Sequence, residues 1–188
     1  MSSHHIVREK QEPALLIMNM DGFNHENLGQ LLEWSPTVIV DAAMFELVDS
    51  LGIKIDGIVT ASSAISSQPE TILIHTKDNP LQDALKYLTG EQFPAVNIID
   101  ESFQAKDYAL YVERIDIVVL TPERKIYPVK PGFSKWQTAG EEIEILLEAT
   151  NLHYSGLIPI TEHIFETEKE GFYTLTFDQP FTFIAERL

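Results

Sequence analysis

The sequence predicts an α/β fold, in which a parallel sheet with flanking helices is followed by a smaller all-β sandwich domain. Short apolar runs alternate with helical patterns through the first part of the 188-residue chain, which is typical of parallel strands covered by helices. Near residue 114 this alternation gives way to strand patterns and turn signals, and no helical spacing follows. We therefore expect an α/β domain at 1–113 and a β-sandwich domain at 114–188.

The elements of the first part follow one another closely. Nearly continuous apolar runs indicate strands buried on both faces, whereas leucines at helical spacing, Pro80 in a first turn and a glycine past the end indicate helices. The predicted strands are "ALLIMNM" (14–20), "TVIVDA" (37–42), "IDGIVT" (55–60), "TILIHT" (71–76) and "AVNIID" (95–100), and the predicted helices are 24–34, 44–53 and 80–90.

The second part contains patterns of period two. "IDIVVLTPERKIYPV" predicts two strands around the turn signal "TPER", and "EIEILLEA" (142–149) alternates as a strand does. "GFYTLTFDQPFTFIAERL" predicts a second hairpin around "DQP". A short region with these patterns is typical of a small sandwich.

Charge and composition exclude several classes of partner. The chain carries a formal net charge of −16 and no cysteine, so disulfides and thiolate metal sites are excluded. An evenly acidic chain repels the nucleic-acid backbone and anionic lipid, and no apolar run is long enough to span a bilayer. We expect a cytoplasmic protein with no nucleic-acid or membrane partner.

Two groups of polar residues are candidates for a site. The loop after the third strand holds the hydroxylated stretch Thr60-Ala61-Ser62-Ser63, and several acids fall at or near strand ends: Asp41, Asp56, Asp78 and Asp100. Carboxylates at strand ends can hold Mg²⁺ and a nucleotide. They can equally cap the helices that follow, and the hydroxyl loop can be an ordinary surface connection.

The order of these segments resembles thiamine pyrophosphokinase. "VIVDAAMFELVDSLGIKIDGIVTASSAI" (38–65) is similar to the family stretch V-x-x-D-G/K-G, L-x-x-x-G-I-x-P-D and G-D-F-D-S, and "NPLQDALKYL" (79–88) to its T-D-x-x-x-A-L helix. "ERKIYPVKPG" (123–132) resembles the hairpin that opens the family's sandwich, and "LHYSGL" (152–157) a later strand. The resemblance covers residues 14–188. It implies an α/β domain, a β-sandwich and a homodimer with sites between chains.

The same resemblance fails where the family binds its metal. The loop G-D-F-D-S, which supplies two carboxylates to Mg²⁺, corresponds to Thr60, Ala61, Ser62, Ser63 and Ala64. Neither carboxylate is present, and a neutral hydroxyl is a poor Mg²⁺ ligand by comparison. The family motif G-G-R-x-D-H corresponds to "FQAKDY" (103–108), where the acid survives as Asp107 but the arginine and histidine do not.

Three readings of the function follow from the resemblance. The first is a thiamine pyrophosphokinase-like protein that lacks kinase activity and keeps a small-molecule-binding or interaction role, with thiamine or a nucleotide as candidate ligands. The alternative is an active, divergent enzyme that transfers pyrophosphate from ATP to thiamine. It would use Mg²⁺ and ATP, and its nucleotide or metal candidates are Asp41, Asp78 and Asp107. The third is a structural domain without a ligand. No catalytic residue and no cofactor is assigned under the first reading.

Overall fold

The computed structural model describes residues 12–62 and 70–188. Four α-helices lie in the first part of the described chain: α1 (His25–Leu32), α2 (Phe45–Ser50), α3 (Pro80–Gly90) and α4 (Ala105–Tyr108). A 3₁₀ turn at Ala42–Met44 precedes α2. The first three helices match the predicted ones; α1 and α2 are shorter than predicted, and α3 has the predicted bounds. None of the helices in these two ranges is long and apolar enough to cross a membrane.

The strands of the described residues fall into two sheets. The strands up to residue 120 are β1 (Ala14–Ile17), β2 (Val38–Asp41), β3 (Gly57–Thr60), β4 (Ile72–His75), β5 (Ala95–Ile99) and β6 (Asp116–Leu120). The later strands are β7 (Arg124–Val129), β8 (Phe133–Gln137), β9 (Glu142–Ile145), β10 (His153–Ser155), β11 (Leu157–Pro159), β12 (Ile164–Thr167), β13 (Gly171–Thr176) and β14 (Thr182–Arg187).

One sheet of 11 strands runs through the molecule in the order β11-β12-β9-β14-β7-β6-β5-β1-β2-β3-β4. From β6 to β4 all neighbours are parallel, and from β7 to β11 all are antiparallel. The two parts meet where β6 pairs antiparallel with β7. A second sheet has the order β10-β13-β8. The mixed α/β fold with a large sheet and a small antiparallel one is therefore confirmed.

Hydrophobic residues on both faces hold these layers together. Helices α1 and α2 cover one face of the parallel strands, with Leu28 and Val48 in that core. Helix α3 and the segment around Tyr108 cover the other face. The small sheet packs its inner side chains Tyr173 and Leu175 against the antiparallel strands of the large sheet. These two sheets form the layers of a sandwich.

The predicted hairpin around "DQP" is wrong. Strand β13 pairs with β8 and β10 in the small sheet, whereas β14 pairs with β7 and β9 in the large one. The turn between them therefore carries the chain from one layer of the sandwich to the other. Two adjacent alternating runs predict strands, but the pattern alone does not determine whether they pair with each other or face each other. The hairpin around "TPER" is confirmed.

A charged pair lies between the two layers of the sandwich. Glu186 on β14 is only 7% exposed, and Lys135 on β8 approaches both carboxylate oxygens, at 2.7 and 2.5 Å. Tyr173 and Gln137 also donate hydrogen bonds to this carboxylate. Burial would raise the pKa of Glu186, but the hydrogen bond and the charge of Lys135 outweigh it, so the pKa is lowered.

Replacing Lys135 with methionine should destabilise the protein by about 2–3 kcal/mol at pH 7, because it leaves a buried carboxylate without its cation. A group whose folded pKa is lowered stabilises the fold above its unfolded pKa and loses this contribution as the pH falls. The loss caused by Lys135→Met should therefore shrink as Glu186 becomes protonated in acid. Urea denaturation at pH 7 and pH 4 measures both effects.

Lys130→Met is the matched control, since Lys130 pairs with Glu113 at 3.3 Å and both side chains are 63% exposed. Its cost should stay below about 1 kcal/mol at either pH, as is usual for surface pairs. Equal costs for the two variants would contradict the role given to the buried pair.

Candidate functional site

The carboxyl edge of the parallel strands is the natural place for a site in this fold. Strand β1 lies between β2 on one side and β5 on the other, and the chain leaves it on the face of α1 whereas α3 covers the opposite face. Such a switch in connection direction opens a crevice at the carboxyl ends of the strands. Asp41, Thr60, Asp78 and Asp100 lie at or just after the carboxyl ends of β2, β3, β4 and β5, so they belong to this edge. Asp56 immediately precedes β3 and therefore lies at the amino edge instead.

The hydroxyl group of Thr60 is used within its own loop. The side chain is buried, and its Oγ1 accepts a hydrogen bond from the Ser62 amide at 3.0 Å. Its carbonyl accepts the Thr76 amide at 2.9 Å, which continues the pairing with β4. Ala61 has no polar side-chain atom and Ser62 is exposed. Ser63, the fourth predicted loop residue, lies outside the described residues.

Asp41 caps the turn that follows β2. Its Oδ1 accepts the backbone N–H of Ala43 at 2.8 Å, and its backbone is extended as an N-cap requires. Asp56 has a comparable structural role, because its carboxylate accepts the Val38 amide at 2.9 Å and pairs with Lys54. Asp78 is exposed in the connection before α3. The carboxylates of Asp41 and Asp56 therefore serve the local backbone.

Burial and nearby negative charge both act on the carboxyl group of Asp100. Burial is the main cause that raises the pKa of Asp100, and the negative charge of Asp107 adds to it. Burial also raises the pKa of Tyr108 far above its usual value, and both carboxylates contribute. The ring of Tyr108 stacks on Phe103, with centroids 5.2 Å apart. The end of β5 and the start of α4 thus form a half-buried acidic and aromatic corner.

Helix α3 is attached to this corner. Gln82 donates a hydrogen bond to the Asp107 carbonyl at 2.5 Å, and the Tyr111 hydroxyl bonds the Gln82 carbonyl. In the first turn of α3, Asp83 accepts from Lys86 and from the buried Thr76, and both bonds lower its pKa. The beginning of α3 is therefore held rigidly against α4.

The described acids and histidines do not form a three-residue site for a divalent metal ion. Among the residues at 12–62 and 70–188, no three acids or histidines lie close enough to bind one metal ion. Asp41, Asp78 and Asp107 therefore do not converge, and residues 63–69 contain no acid or histidine in the sequence. Hard cations bind through oxygen ligands, and the described residues of this edge do not supply three acids or histidines to one ion.

The fold defined by these layers is that of the thiamine pyrophosphokinases, so the resemblance is confirmed at the level of the fold. The chain superposes on thiamine pyrophosphokinase from Bacillus subtilis with a TM-score of 0.69 and 13% identity, over 93% of this chain and 98% of that one. The enzyme from Candida albicans gives 0.68 and 10%, over 94% and 90%. The yeast enzyme gives 0.65 and 10%, over 96% and 88%.

Sequence comparisons add nothing to this likeness. No protein-family model matches the chain, and no curated protein matches it. At identities of 10–13% the likeness shows the arrangement of strands and helices. The function of this chain has to be argued from its own residues.

Sequence reasoning missed two groups of side chains. Asp100 was named among the strand-end acids, but only Asp107 was selected as a nucleotide or metal candidate from the family motif. The Lys135–Glu186 pair was also missed, yet a signal for it exists. Period-two alternation puts Lys135 on the same face as Phe133, and Glu186 on the same face as Ile184. Two charges on inward faces imply a partner.

If Asp41 acts as a cap, Asp41→Ala should lower the free energy of unfolding by about 1 kcal/mol, because one amide loses its acceptor. Asp41→Ser keeps an acceptor oxygen and should stay within about 0.5 kcal/mol of the unmodified protein. Chemical denaturation of the three proteins measures this. A serine variant as unstable as the alanine variant would contradict the capping role.

Proposed function

We propose that this chain is a thiamine pyrophosphokinase-like protein that binds a small molecule without transferring pyrophosphate to it. The observation that supports the proposal most directly is the use of the acids at the carboxyl edge. Asp41 caps a turn, and among the described residues no three acids or histidines lie close enough to bind one metal ion. The fold likeness supports the kinase-like part of the proposal, and the lack of a three-residue cluster among the described acids supports the loss of transfer.

The physical reason is electrostatic. ATP and the transferred group carry several negative charges, which a positioned divalent cation normally neutralises. Removing one such stabilising group costs ~3–4 kcal/mol in well-studied sites, so two losses would slow the reaction by roughly 10⁴-fold or more. With a net charge of −16, this chain repels ATP further.

The remaining properties are proposed with this role. The fold resemblance supports a homodimer, a cytoplasmic protein and a division near residues 113 and 114, with thiamine or a nucleotide as candidate ligands. Asp100 and Phe103 would contribute an acid and a partly exposed aromatic ring to a binding cleft, and the buried ring of Tyr108 would support Phe103 by stacking on it.

The second candidate function is an active, divergent thiamine diphosphokinase. One observation favours it: the negative charge of Asp107 contributes to the raised pKa of Asp100, and Mg²⁺ in phosphate chemistry can be bound through one or two protein carboxylates. This pair differs from the predicted set Asp41, Asp78 and Asp107, since only Asp107 belongs to both.

The test is to incubate the unmodified protein with ATP, Mg²⁺ and thiamine and to measure thiamine diphosphate. The Bacillus subtilis enzyme serves as the positive control under the same conditions. We expect no formation above the protein-free blank. Turnover near 1 per second, within the usual range of enzymes, and its loss in Asp100→Asn would establish the second candidate function instead.

Thermal denaturation with thiamine, thiamine diphosphate and nucleotides tests the binding role separately. A ligand that binds only the folded state raises the melting temperature, and we expect at least one of these compounds to do so without Mg²⁺. No shift with any of them, together with no turnover, would favour a structural domain without a ligand.

A further inference from the structure

A groove of about 480 Å³ lies away from the carboxyl-edge acids, on the face of the large sheet that α1 covers. Its floor consists of neighbouring side chains on β5, β6 and β7: Asn97 is paired with Val118, and Leu120 with Lys125. Residues paired directly across strands lie on the same face. This strip of sheet lies between α1 and the small sheet.

Helix α1 and the residues just after it form one wall. Asn27, Gln30, Leu31 and Trp34 line the groove, and their spacing of three, four and seven residues puts them on one side of a helix. Trp34 is 70% exposed although it is a large apolar side chain. A concave site with apolar walls and a few polar groups has the composition of small-molecule sites.

Lys125 gives the groove its charge. It is exposed, its Nζ lies 5.9 Å from the centroid of the Tyr127 ring, and within the described chain no carboxylate forms an ion pair with it. The neighbouring carboxylate of Glu186 is already bound to Lys135. Among the residues that line this groove the only acidic side chain is that of Glu12, which precedes β1.

A second groove of about 350 Å³ continues from the first, because Val118 and Lys125 line both. Tyr127, Phe133, Lys135 and the acid Asp116 line this continuation. Lys125 therefore stands between two partly apolar hollows, where a negative group would find a cation and an attached ring or chain would find apolar surface. Lys125 is the only cation among the residues that line the first groove.

We propose that this groove binds an amphipathic organic anion, with its aromatic body on Leu31, Trp34 and Val118 and its carboxylate or sulfonate on Lys125. The site does not depend on the proposed function, since it shares no residue with the carboxyl-edge acids. The groove should also bind an anion more tightly than an uncharged molecule with the same aromatic body, because the uncharged molecule gains only the apolar contact.

The experiment uses two fluorescent probes with the same aromatic body. 8-Anilinonaphthalene-1-sulfonate carries a negative charge and N-phenyl-1-naphthylamine does not. We expect one sulfonate probe per chain to bind saturably, and more tightly than the neutral probe. Lys125→Gln should weaken the sulfonate probe by roughly three- to tenfold, as expected for the loss of one charged contact, and leave the neutral probe unchanged.

Lys169→Gln is the matched control, because it removes the same charge from an exposed lysine outside the groove. It should leave both affinities unchanged. The probe is located through Trp34. In a Trp136→Phe background Trp34 is the remaining tryptophan, and the bound probe should quench its fluorescence. Near-ultraviolet circular dichroism checks that each variant is folded.

Several results would overturn the proposal. These are equal affinity for the two probes in the unmodified protein, Lys125→Gln binding as tightly as Lys169→Gln, or no quenching of Trp34. Sedimentation velocity provides a further test: if the groove is covered by a second copy of the chain, Lys125→Gln will change the mass of the particle and the probe will bind only to monomers. Should Lys125→Gln fail to fold, the ratio of the two probes and the quenching in the Trp136→Phe background decide the outcome.

Discussion

The pairing of β6 with β7 is the constraint on which the rest of the structure depends. β6 is parallel to β5 and antiparallel to β7, so this one strand joins the helix-covered sheet to the sandwich. The turn at 121–123 fixes the pairing: the Thr121 amide donates to the Arg124 carbonyl at 2.9 Å, and the Arg124 amide donates to the Thr121 hydroxyl. A slip of one residue in this register would move Lys125 and the other side chains of β7 to the opposite face of the sheet.

Within the sandwich the chain repeatedly changes layers. It does so between β10 and β11 at Gly156, whose φ of +71° favours glycine, and a side chain there would come within 2.8 Å of the Phe172 carbonyl. The chain changes layers again between β13 and β14. Such crossings let short strands bury a common core from both sheets, including Tyr173 and Ile184, and they bring Lys135 to Glu186 across the layers.

Local patterns predicted the strands and the first three helices of the parallel part, but not α4. Buried runs such as 14–20 and 37–42 and the stop at Gly52 reflect interactions between near neighbours, so the strands and helices there were predictable from sequence. The error at "DQP" has the opposite origin, because strand pairing in a sandwich is decided by distant residues. The order of segments nonetheless identified the fold, since that order reflects topology rather than individual side chains.

The candidate site was predictable only in part. Substitution of the family's loop acids by Ala61 and Ser63 is visible in the sequence, but the fate of the surviving acids is not. An aspartate after a strand can bind a ligand or cap a turn, and only the backbone around Asp41 distinguishes these uses. The influence of Asp107 on Asp100 likewise depends on how α4 folds back, which no local pattern specifies.

Titration of the unmodified protein with Mn²⁺, followed by electron paramagnetic resonance, tests the central claim most directly. Mn²⁺ takes the same oxygen ligands as Mg²⁺, and its free signal reports binding without any turnover. We predict only weak, diffuse binding to the acidic surface, which is lost at about 0.3 M KCl because salt screens exposed charges. One tight site per chain that survives this salt and disappears in Asp100→Asn would contradict the account.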